Sequence, residues 1–303
     1  MQVIDKADGE KSMNIVSFVI LHYKDAEVTD ACIQSILAME QQERIRIVVV
    51  DNDIEEKDEK RRALAECYKE NPRITVLAIH ENGGFSYANN QGYTYAREVL
   101  KAAFVVVINN DILFTQKDFI EQLENSYEKN KGWVMGPDVI RESTGEHQNP
   151  MDERIRTKAE ALQTVKKNRF ALKYYPFLYP LLYLNNKRLM KKQTEEKTGR
   201  KDYYDAVQRN KVLFGACLIF TPLFVKKEKK AFEPETKFFY EEYLLTLKCQ
   251  KKGYTTVYDP ELKVLHESGA ATKRGFKSEK RRLKFTMERV AEAAEIYAEM
   301  VEK

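Results

Sequence analysis

The sequence lacks most features of secreted, zinc-binding or membrane-spanning proteins. Its 303 residues contain four cysteines, and no two of them have the Cys-x-x-Cys spacing of a disulfide-rich scaffold or a zinc site. The early apolar run from Ile15 to Leu21 is too short to span a bilayer or to form the hydrophobic segment of a signal peptide. Residues 1–12 are polar, and we expect them to form a disordered leader. These absences predict a cytoplasmic globular protein.

The charge balance gives little support to a nucleic-acid partner. Lys and Arg number 51 against 47 Asp and Glu, a formal net charge of +4, which is too small to indicate a nucleic-acid binder. A hydrophobic content of 43% is too high for a disordered chain. The length fits one large domain or two small ones.

The first half alternates short β-branched runs with segments of helical period. The runs are apolar throughout, as in strands that are buried on both faces; they are Ile15–Leu21, Ile45–Val50, Ile74–Ile79 and Phe104–Ile108. Strand–helix–strand units of this size predict an α/β fold with a Rossmann-like, mostly parallel central sheet flanked by helices. Ligands of such sheets bind beyond the carboxyl ends of the strands.

Polar residues follow each of the four predicted strands. They are His22-Tyr23, Asp51-Asn52-Asp53, Asn82-Gly83-Gly84 and Asn109-Asn110-Asp111. A single such residue is usually a turn or a helix cap. The segment after the first strand has no glycine, which excludes the Gly-x-Gly-x-x-Gly dinucleotide fingerprint, and there is no P-loop. Bound phosphates would therefore need a divalent cation, for which Asn109 and Asp111 offer oxygen ligands unless they only form a turn.

The second half adds two candidate groups. Glu241 and Glu242 open a segment of helical period, where acidic residues also occur simply because they favour the helix dipole. Alternatively, one carboxylate projects into a cleft and acts as a general base. Tyr254–Tyr258 and Lys263–Leu265 are predicted as two further strands. His266 follows the second and could complete a metal site begun by Asp111, although a lone histidine is more often structural.

Taken in order, these motifs resemble family 2 glycosyltransferases, most closely the rhamnosyl- or capsular-polysaccharide branch. The similarity covers residues 14–140 and 211–272. It rests on Val48-Val49-Val50-Asp51-Asn52, on the segment from Asn82 to Gly92, and on Ile108-Asn109-Asn110-Asp111. Gly215-Ala216-Cys217, Phe239-Tyr240-Glu241-Glu242 and Val264-Leu265-His266 follow in the same order.

This resemblance implies a GT-A fold, a nucleoside-diphosphate sugar donor, Mg²⁺ or Mn²⁺, and inversion at the anomeric carbon. By position, Glu242 is the implied catalytic base and Glu241 the second candidate. The implied metal ligands are Asp111, Asn109 and His266, with Asn109 in place of an acid. The implied nucleotide-sugar contacts are Tyr23, Asp51, Asn52, Asn82, Gly84, Asn89, Asn90, Asn110 and Asp111. The acceptor would be a polysaccharide or a lipid-linked glycan.

The organisation that follows has five parts. After the leader at 1–12, residues 13–150 form the nucleotide-sugar-binding half and residues 211–272 the acceptor and catalytic half, with a helical tail at 273–303. Between the halves, 151–210 is a helical insertion with 15 Lys and Arg against 7 Asp and Glu. Its tyrosines and leucines between basic clusters fit an anionic membrane surface, which would make the protein peripheral on the inner face of the plasma membrane. Helices packed on the domain are the alternative, and the C-terminal helix could be a homodimer contact.

Two other functions stay open at this point. Asp51 after a buried strand also resembles the nucleophile of a Mg²⁺-dependent phosphohydrolase. The loss of an acid at Asn109 is compatible with a catalytically weak nucleotide-sugar-binding subunit.

Overall fold

The structure is a computed structural model, and it describes residues 14–52, 65–81, 83–198, 201–267 and 278–302. A single sheet runs through it in the order β3-β2-β1-β4-β8-β6-β9-β5, and β7 pairs with β9. The strands are β1 (Val16–His22), β2 (Ile45–Asp51), β3 (Ile74–Ala78), β4 (Phe104–Asn109), β5 (Ile112–Leu113), β6 (Val134–Arg141), β7 (Gln208–Arg209), β8 (Cys217–Phe220) and β9 (Thr256–His266).

The first four strands form a parallel block, as the sequence predicts. Their β-branched side chains are buried on both faces. Phe18 and Ile47 belong to the core on one face, and Val19 and Val48 to the core on the other. This alternation explains why the runs are continuously apolar.

Helices cover both faces of the sheet. They are α1 (Ala26–Leu37), α2 (Phe85–Glu98), α3 (Phe119–Asn130), α4 (Lys158–Lys173), α5 (Tyr175–Thr198), α6 (Lys201–Tyr204), α7 (Pro222–Lys227), α8 (Glu241–Lys252) and α9 (Glu279–Glu302). Apolar residues of α1 and α3 pack on one face, and those of α2, α7 and α8 on the other. The predicted α/β fold is therefore confirmed.

The other half of the sheet is mixed. Strand β8 runs antiparallel to β4 and β6, while β6 and β9 are parallel. The sequence predicts two strands, Tyr254–Tyr258 and Lys263–Leu265, but the structure has the single strand β9 there. Its register with β6 shifts between Pro137 and Asp138, so a bulge accommodates the residues that resemble a turn in the sequence.

The basic insertion is helical, and the C-terminal helix packs along it. Ala161 and Val165 of α4 lie in one apolar cluster with Ala294 of α9 and Leu244 of α8. None of the described helices is long and apolar enough to cross a membrane. The predicted leader at 1–12 lies outside the described residues.

Candidate active site

Strands β2, β1 and β4 deliver their polar ends to one edge of the sheet. His22 pairs in register with Asp51, and Leu21 pairs with Asn109. Asp51 is 1% exposed, and the Asn52 N–H donates to the carbonyl oxygen of His22 at 3.1 Å. The buried Oδ1 atom of Asn52 has no hydrogen-bond partner among the described residues. Because such an atom is costly to bury unpaired, it is suited to accept a hydrogen bond from a ligand.

A hydroxyl group on α1 fixes the turn after β4. Thr29 Oγ1 donates to the carbonyl oxygen of Asp25 at 2.9 Å. It therefore accepts from His22 Nδ1 at 2.7 Å and from Asn110 Nδ2 at 3.0 Å. The amide nitrogen of Asn110 is therefore bonded to another residue of the chain. The same hydrogen bond holds the turn that carries Asp111.

Asp111 and His266 face each other across the ends of β5 and β9. His266 Nε2 lies 3.2 Å from Asp111 Oδ1, yet Oδ1 has no hydrogen-bond partner in the described part of the chain. On the far side of the ring, His266 Nδ1 lies 2.6 Å from Gln148 Oε1. An amide oxygen only accepts, so Nδ1 carries a proton, and in the neutral form of the ring the lone pair of Nε2 is then directed toward the carboxylate.

Two buried lone pairs that face each other are a suitable site for a cation. Within the described ranges, no group of three or more His, Cys, Asp or Glu side chains could enclose a metal ion. Mg²⁺ and Mn²⁺ rarely need such a cage, since one or two protein ligands plus substrate phosphates and water complete their shell. The donor set of Asp111 and His266 therefore fits the implied ion. The third predicted ligand, Asn109, lies at the end of β4 and is partly buried.

The two glutamates open helix α8. Tyr240, directly before them, has a left-handed backbone with φ of 65°, an uncommon conformation for a residue with a bulky side chain. Protein surrounds both carboxyl groups, although each residue keeps some solvent contact. Burial raises the pKa of Glu242, and backbone N–H groups of Glu242 and Gly215 oppose this rise. Burial and the neighbouring charge of Glu242 raise the pKa of Glu241 well above its usual range.

This difference separates the roles of the pair. Glu241 Oε2 is buried without a partner among the described residues, and one backbone N–H favours the Glu241 anion. Two backbone N–H groups, those of Glu242 and Gly215, favour the Glu242 anion. The first proton that the pair takes up therefore goes to Glu241, and Glu242 is the stronger candidate for a general base.

A tripeptide between β7 and β8 connects the separate parts of the site. The Phe214 ring packs 5.9 Å from the His266 ring, measured between centroids. Gly215 lies against the Glu242 carboxylate, and the carbonyl oxygen of Ala216 accepts from the Asn109 N–H at 3.0 Å. The metal candidates and the base candidate therefore share one short support. The sequence motif includes Gly215 and Ala216 but does not reveal these contacts.

The turn before α2 packs against the segment before α8. Gly84 has a φ of 86°, and a Cβ atom there would overlap the backbone of Lys237. Asn90 Nδ2 donates to Phe232 O at 2.8 Å, and the Phe232 N–H donates to Asn90 Oδ1 at 3.0 Å. Asn90 thus binds the chain itself, which is a positioning role that the sequence does not predict.

The remaining predicted donor contacts differ in surroundings. Asn89 is fully buried; its Nδ2 donates to Phe85 O at 3.1 Å, and its Oδ1 has no partner in the described ranges. Tyr23 is partly buried directly after β1, with Lys24 Nζ 4.9 Å from its ring centroid. Asn82 lies outside the described residues.

An arginine connects the C-terminal helix to the start of α8. Arg156 Nη1 donates to Tyr240 Oη at 2.9 Å, and its guanidinium carbon lies 4.8 Å from the ring centroid of Tyr243. Tyr297 of α9 donates from Oη to the carbonyl oxygen of Arg156 at 2.6 Å. These contacts support the unusual backbone at Tyr240, and sequence reasoning did not find them.

Comparison with known proteins agrees with the fold. A family model described as "Glycosyl transferase family 2" matches residues 17–192. One similar structure is S. aureus TarS 1–349, with 12% identity, a TM-score of 0.52, and coverage of 83% of this chain and 60% of that one. A second is the mannosyltransferase PcManGT from Pyrobaculum calidifontis in complex with GDP-Man and Mn²⁺, with 12% identity, a TM-score of 0.52, and coverage of 95% and 72%. No curated protein matches the chain in sequence.

Proposed function

The chain belongs to glycosyl transferase family 2, and from this premise we propose that it is an inverting, metal-dependent enzyme acting on a nucleoside-diphosphate sugar. One observation carries the proposal: residues 214–216 contact His266, Glu242 and Asn109. A site for the diphosphate and a site for the acceptor hydroxyl are thereby joined by one rigid support. Family membership favours this function over the phosphohydrolase that Asp51 could suggest.

The donor nucleotide would bind at the ends of β1 and β2. The unpartnered Oδ1 of Asn52 can accept from a base N–H or a ribose hydroxyl, and the adjacent Asp51 carboxylate is buried beside it. The partly buried ring of Tyr23 is available for stacking on a base. Asn89 and the turn at Gly84 would shape the sugar side of the pocket.

Asp111 and His266 would hold the cation, with Asn109 beside them. A divalent cation bound there would act as a Lewis acid and neutralise the charge that develops on the departing diphosphate. Gln148 orients His266 so that Nε2 points toward Asp111. This partner would preserve the ring in its ligand-competent tautomer.

Glu242 would act as the base in a single displacement. It takes the proton of the acceptor hydroxyl while that oxygen forms a bond to the anomeric carbon, and the bond from that carbon to the diphosphate oxygen breaks. The sugar configuration is thereby inverted, and no covalent enzyme intermediate is needed. Glu241 keeps its own proton, since two adjacent buried carboxylates do not readily ionise together.

The acceptor would be a polysaccharide or a lipid-linked glycan, and the donor sugar a hexose or rhamnose. PcManGT was solved with GDP-Man and Mn²⁺, which supports including a guanosine nucleotide among the donors tested. The rhamnosyl or capsular branch is supported only by the sequence motifs.

The test is a thermal-shift panel of UDP, dTDP, GDP and CMP, each with Mn²⁺ and with EDTA. A ligand at about 100 times its Kd stabilises by about 2.7 kcal/mol. The sugar nucleotide of the best nucleotide is then incubated with the enzyme, and release of the nucleotide is followed, with Glu242→Gln as the matched control.

We expect metal-dependent stabilisation by one diphosphate and turnover that the Glu242→Gln variant loses. Stabilisation without any turnover by the unmodified chain, with or without added glycans, would identify a binding subunit instead. A panel with no shift for any nucleotide would overturn the donor site.

A further inference from the structure

The outer side of the basic insertion carries an apolar stripe that the fold does not bury. The stripe consists of Phe170, Tyr174, Phe177, Leu181 and Leu184. Phe177 is 86% exposed, Leu181 66% and Phe170 61%. Phe177, Leu181 and Leu184 lie on α5, where spacings of three and four residues place side chains on one side of a helix. Phe170 is on α4, and Tyr174 lies at the junction of the two helices with its ring centroid 5.0 Å from that of Phe170. Large apolar side chains exposed in a contiguous row indicate an interaction surface rather than ordinary surface variation.

The opposite side of the same helices already makes the core contacts. Tyr175 is buried, and it clusters with Ala171 of α4 and Met287 of α9. Tyr175 Oη also donates to the carbonyl oxygen of Lys280 at 2.6 Å. The packing of the insertion on the domain is therefore complete without the stripe, and the stripe has to be explained separately.

Basic residues lie at both ends of the stripe. Exposed Lys166 and Lys167 are at the first end, and exposed Lys187, Arg188, Lys191 and Lys192 at the second. Exposed Lys173 lies inside the stripe near that first end, beside Tyr174. From residue 161 to residue 194 the sequence contains no Asp or Glu. An apolar row between cationic clusters matches a bilayer surface, with side chains in the acyl boundary and Lys and Arg at anionic headgroups.

A second copy of the chain matches this pattern less well. If two stripes packed in parallel, each basic end would face the same basic end of the other copy. If they packed antiparallel, the two different basic ends would meet. Like charges would be opposed in both arrangements, which disfavours self-association through this surface.

We propose that the stripe formed by α4 and α5 docks the protein on an anionic lipid bilayer. Ala161 and Val165, on the inner side of α4, share an apolar cluster with Tyr243 and Leu244 of α8. The docking helices are thus attached directly to the helix that begins with the two glutamates. If the proposed glycosyl transfer holds, and this step rests on it, docking brings the acceptor side of the site close to lipid-linked glycans.

The test is flotation of the full chain with vesicles of phosphatidylcholine alone and of phosphatidylcholine with phosphatidylglycerol. The apolar variant is Phe177→Ser with Leu181→Ser, and its control is Val99→Ser, an exposed apolar residue after α2. The charge variant is Lys187→Gln with Arg188→Gln, and its control is the exposed pair Lys226→Gln with Lys227→Gln on α7. All substituted side chains are exposed, and melting temperatures check that each variant is folded.

We expect binding to the anionic vesicles that weakens at high salt. The apolar variant should lose at least tenfold in partitioning, and the charge variant about 30-fold, since each Lys or Arg near the surface contributes about a fivefold factor. Neither control should change it. Absence of vesicle binding, or equal binding by the apolar variant and its control, would overturn the proposal.

Size-exclusion chromatography with light scattering tests the alternative that the stripe binds a second copy of the chain. An oligomer that the apolar variant converts to monomer, with vesicle binding unchanged, would assign the stripe to a second copy and overturn membrane docking. Vesicle binding needs no donor and no turnover. Absence of vesicle binding would therefore not bear on the proposed enzyme activity, and absence of turnover would not bear on membrane docking.

Discussion

The Glu242 side chain occupies the space that a Cβ atom on residue 215 would need: Glu242 Oε1 lies 2.7 Å from that ideal Cβ position. Only glycine leaves room for the carboxylate while offering its backbone N–H to it. The position of the candidate base is therefore set by a backbone segment that is distant in sequence and that also contacts His266 through Phe214.

Gly215→Ala should impair turnover far more than folding. The added methyl group would meet the far end of a flexible side chain, so the carboxylate moves and the fold persists. A displacement of about 1 Å at a reacting group can cost about 100-fold in rate. We expect kcat to fall by about that factor, with the nucleotide-induced thermal shift retained.

The matched control for this variant is Gly145→Ala. Gly145 has open space around it but a φ of +68°, so the alanine should cost roughly 1–2 kcal/mol of stability and leave kcat unchanged. If both variants lose only stability, the Gly215 contact is not catalytic support.

Glu242→Gln should abolish most turnover, and Glu241→Gln should not. A general base typically contributes about 10²–10⁴-fold, and two backbone N–H groups favour the anion of Glu242 where one favours that of Glu241. The base must be ionised, and burial raises the pKa of Glu242. The acid limb of kcat/KM should therefore lie above the ordinary glutamate value of about 4.3. A larger loss in Glu241→Gln would reverse the assignment.

Glu241→Gln should stabilise the protein at neutral pH. Burial and the charge of Glu242 raise the pKa of Glu241, so the folded chain holds this proton more tightly than the unfolded chain. The stability that this proton contributes is fully present below the pKa that Glu241 has in the unfolded chain, and it is lost as the pH rises through the pKa of Glu241 in the folded chain. Removing the ionisable group should increase the free energy of unfolding at pH 7 by on the order of 1 kcal/mol.

The stability gained by Glu241→Gln should disappear as the pH falls. At low pH the Glu241 carboxyl of the unmodified chain is protonated in both the folded and the unfolded state. Urea unfolding of both proteins at neutral pH and at about pH 4 checks this. Glu261→Gln, at an exposed position, is the comparison. A Glu241→Gln difference that is constant with pH, like that of the control, would contradict the raised pKa.

The parallel half of the fold can be predicted from sequence because each β-branched run carries its own signal. The site depends more on distant contacts. The choice between Glu241 and Glu242 rests on Gly215, and the tautomer of His266 rests on Gln148. Neither contact has a local pattern. The sequence predicts two strands where the structure has β9, because residues of a bulge within a strand pair resemble a turn.

Asn90 is a residue whose role the sequence does not predict for the same reason, namely a contact that is distant in sequence. The family resemblance implies that Asn90 contacts the donor, but both its amide atoms bond to the backbone of Phe232. Packing across the sheet edge therefore determines which asparagine side chain of this segment is already bonded within the fold, and no local pattern in the sequence records that packing.

Gln148→Leu should weaken metal binding although it replaces none of the proposed metal ligands. Gln148 Oε1 accepts from His266 Nδ1 at 2.6 Å and so leaves Nε2 as the free lone pair beside Asp111 Oδ1. Loss of such a supporting hydrogen bond typically costs about 10–100-fold in metal affinity. Mn²⁺ affinity, measured by the paramagnetic resonance signal of the free ion in the presence of the nucleotide, should fall by that range.

Gln148→Glu provides the opposing case, because a carboxylate also accepts from Nδ1 and should restore much of the affinity. Asp111→Asn, which replaces a charged ligand oxygen by an amide, should lose more than Gln148→Leu. The nucleotide's residual affinity in EDTA should be equal in all three variants, since none of them alters the ends of β1 and β2 where the base and ribose are proposed to bind. If Gln148→Leu binds Mn²⁺ as tightly as the unmodified chain while Asp111→Asn does not, His266 is not a ligand, and its approach to Asp111 is a structural contact only.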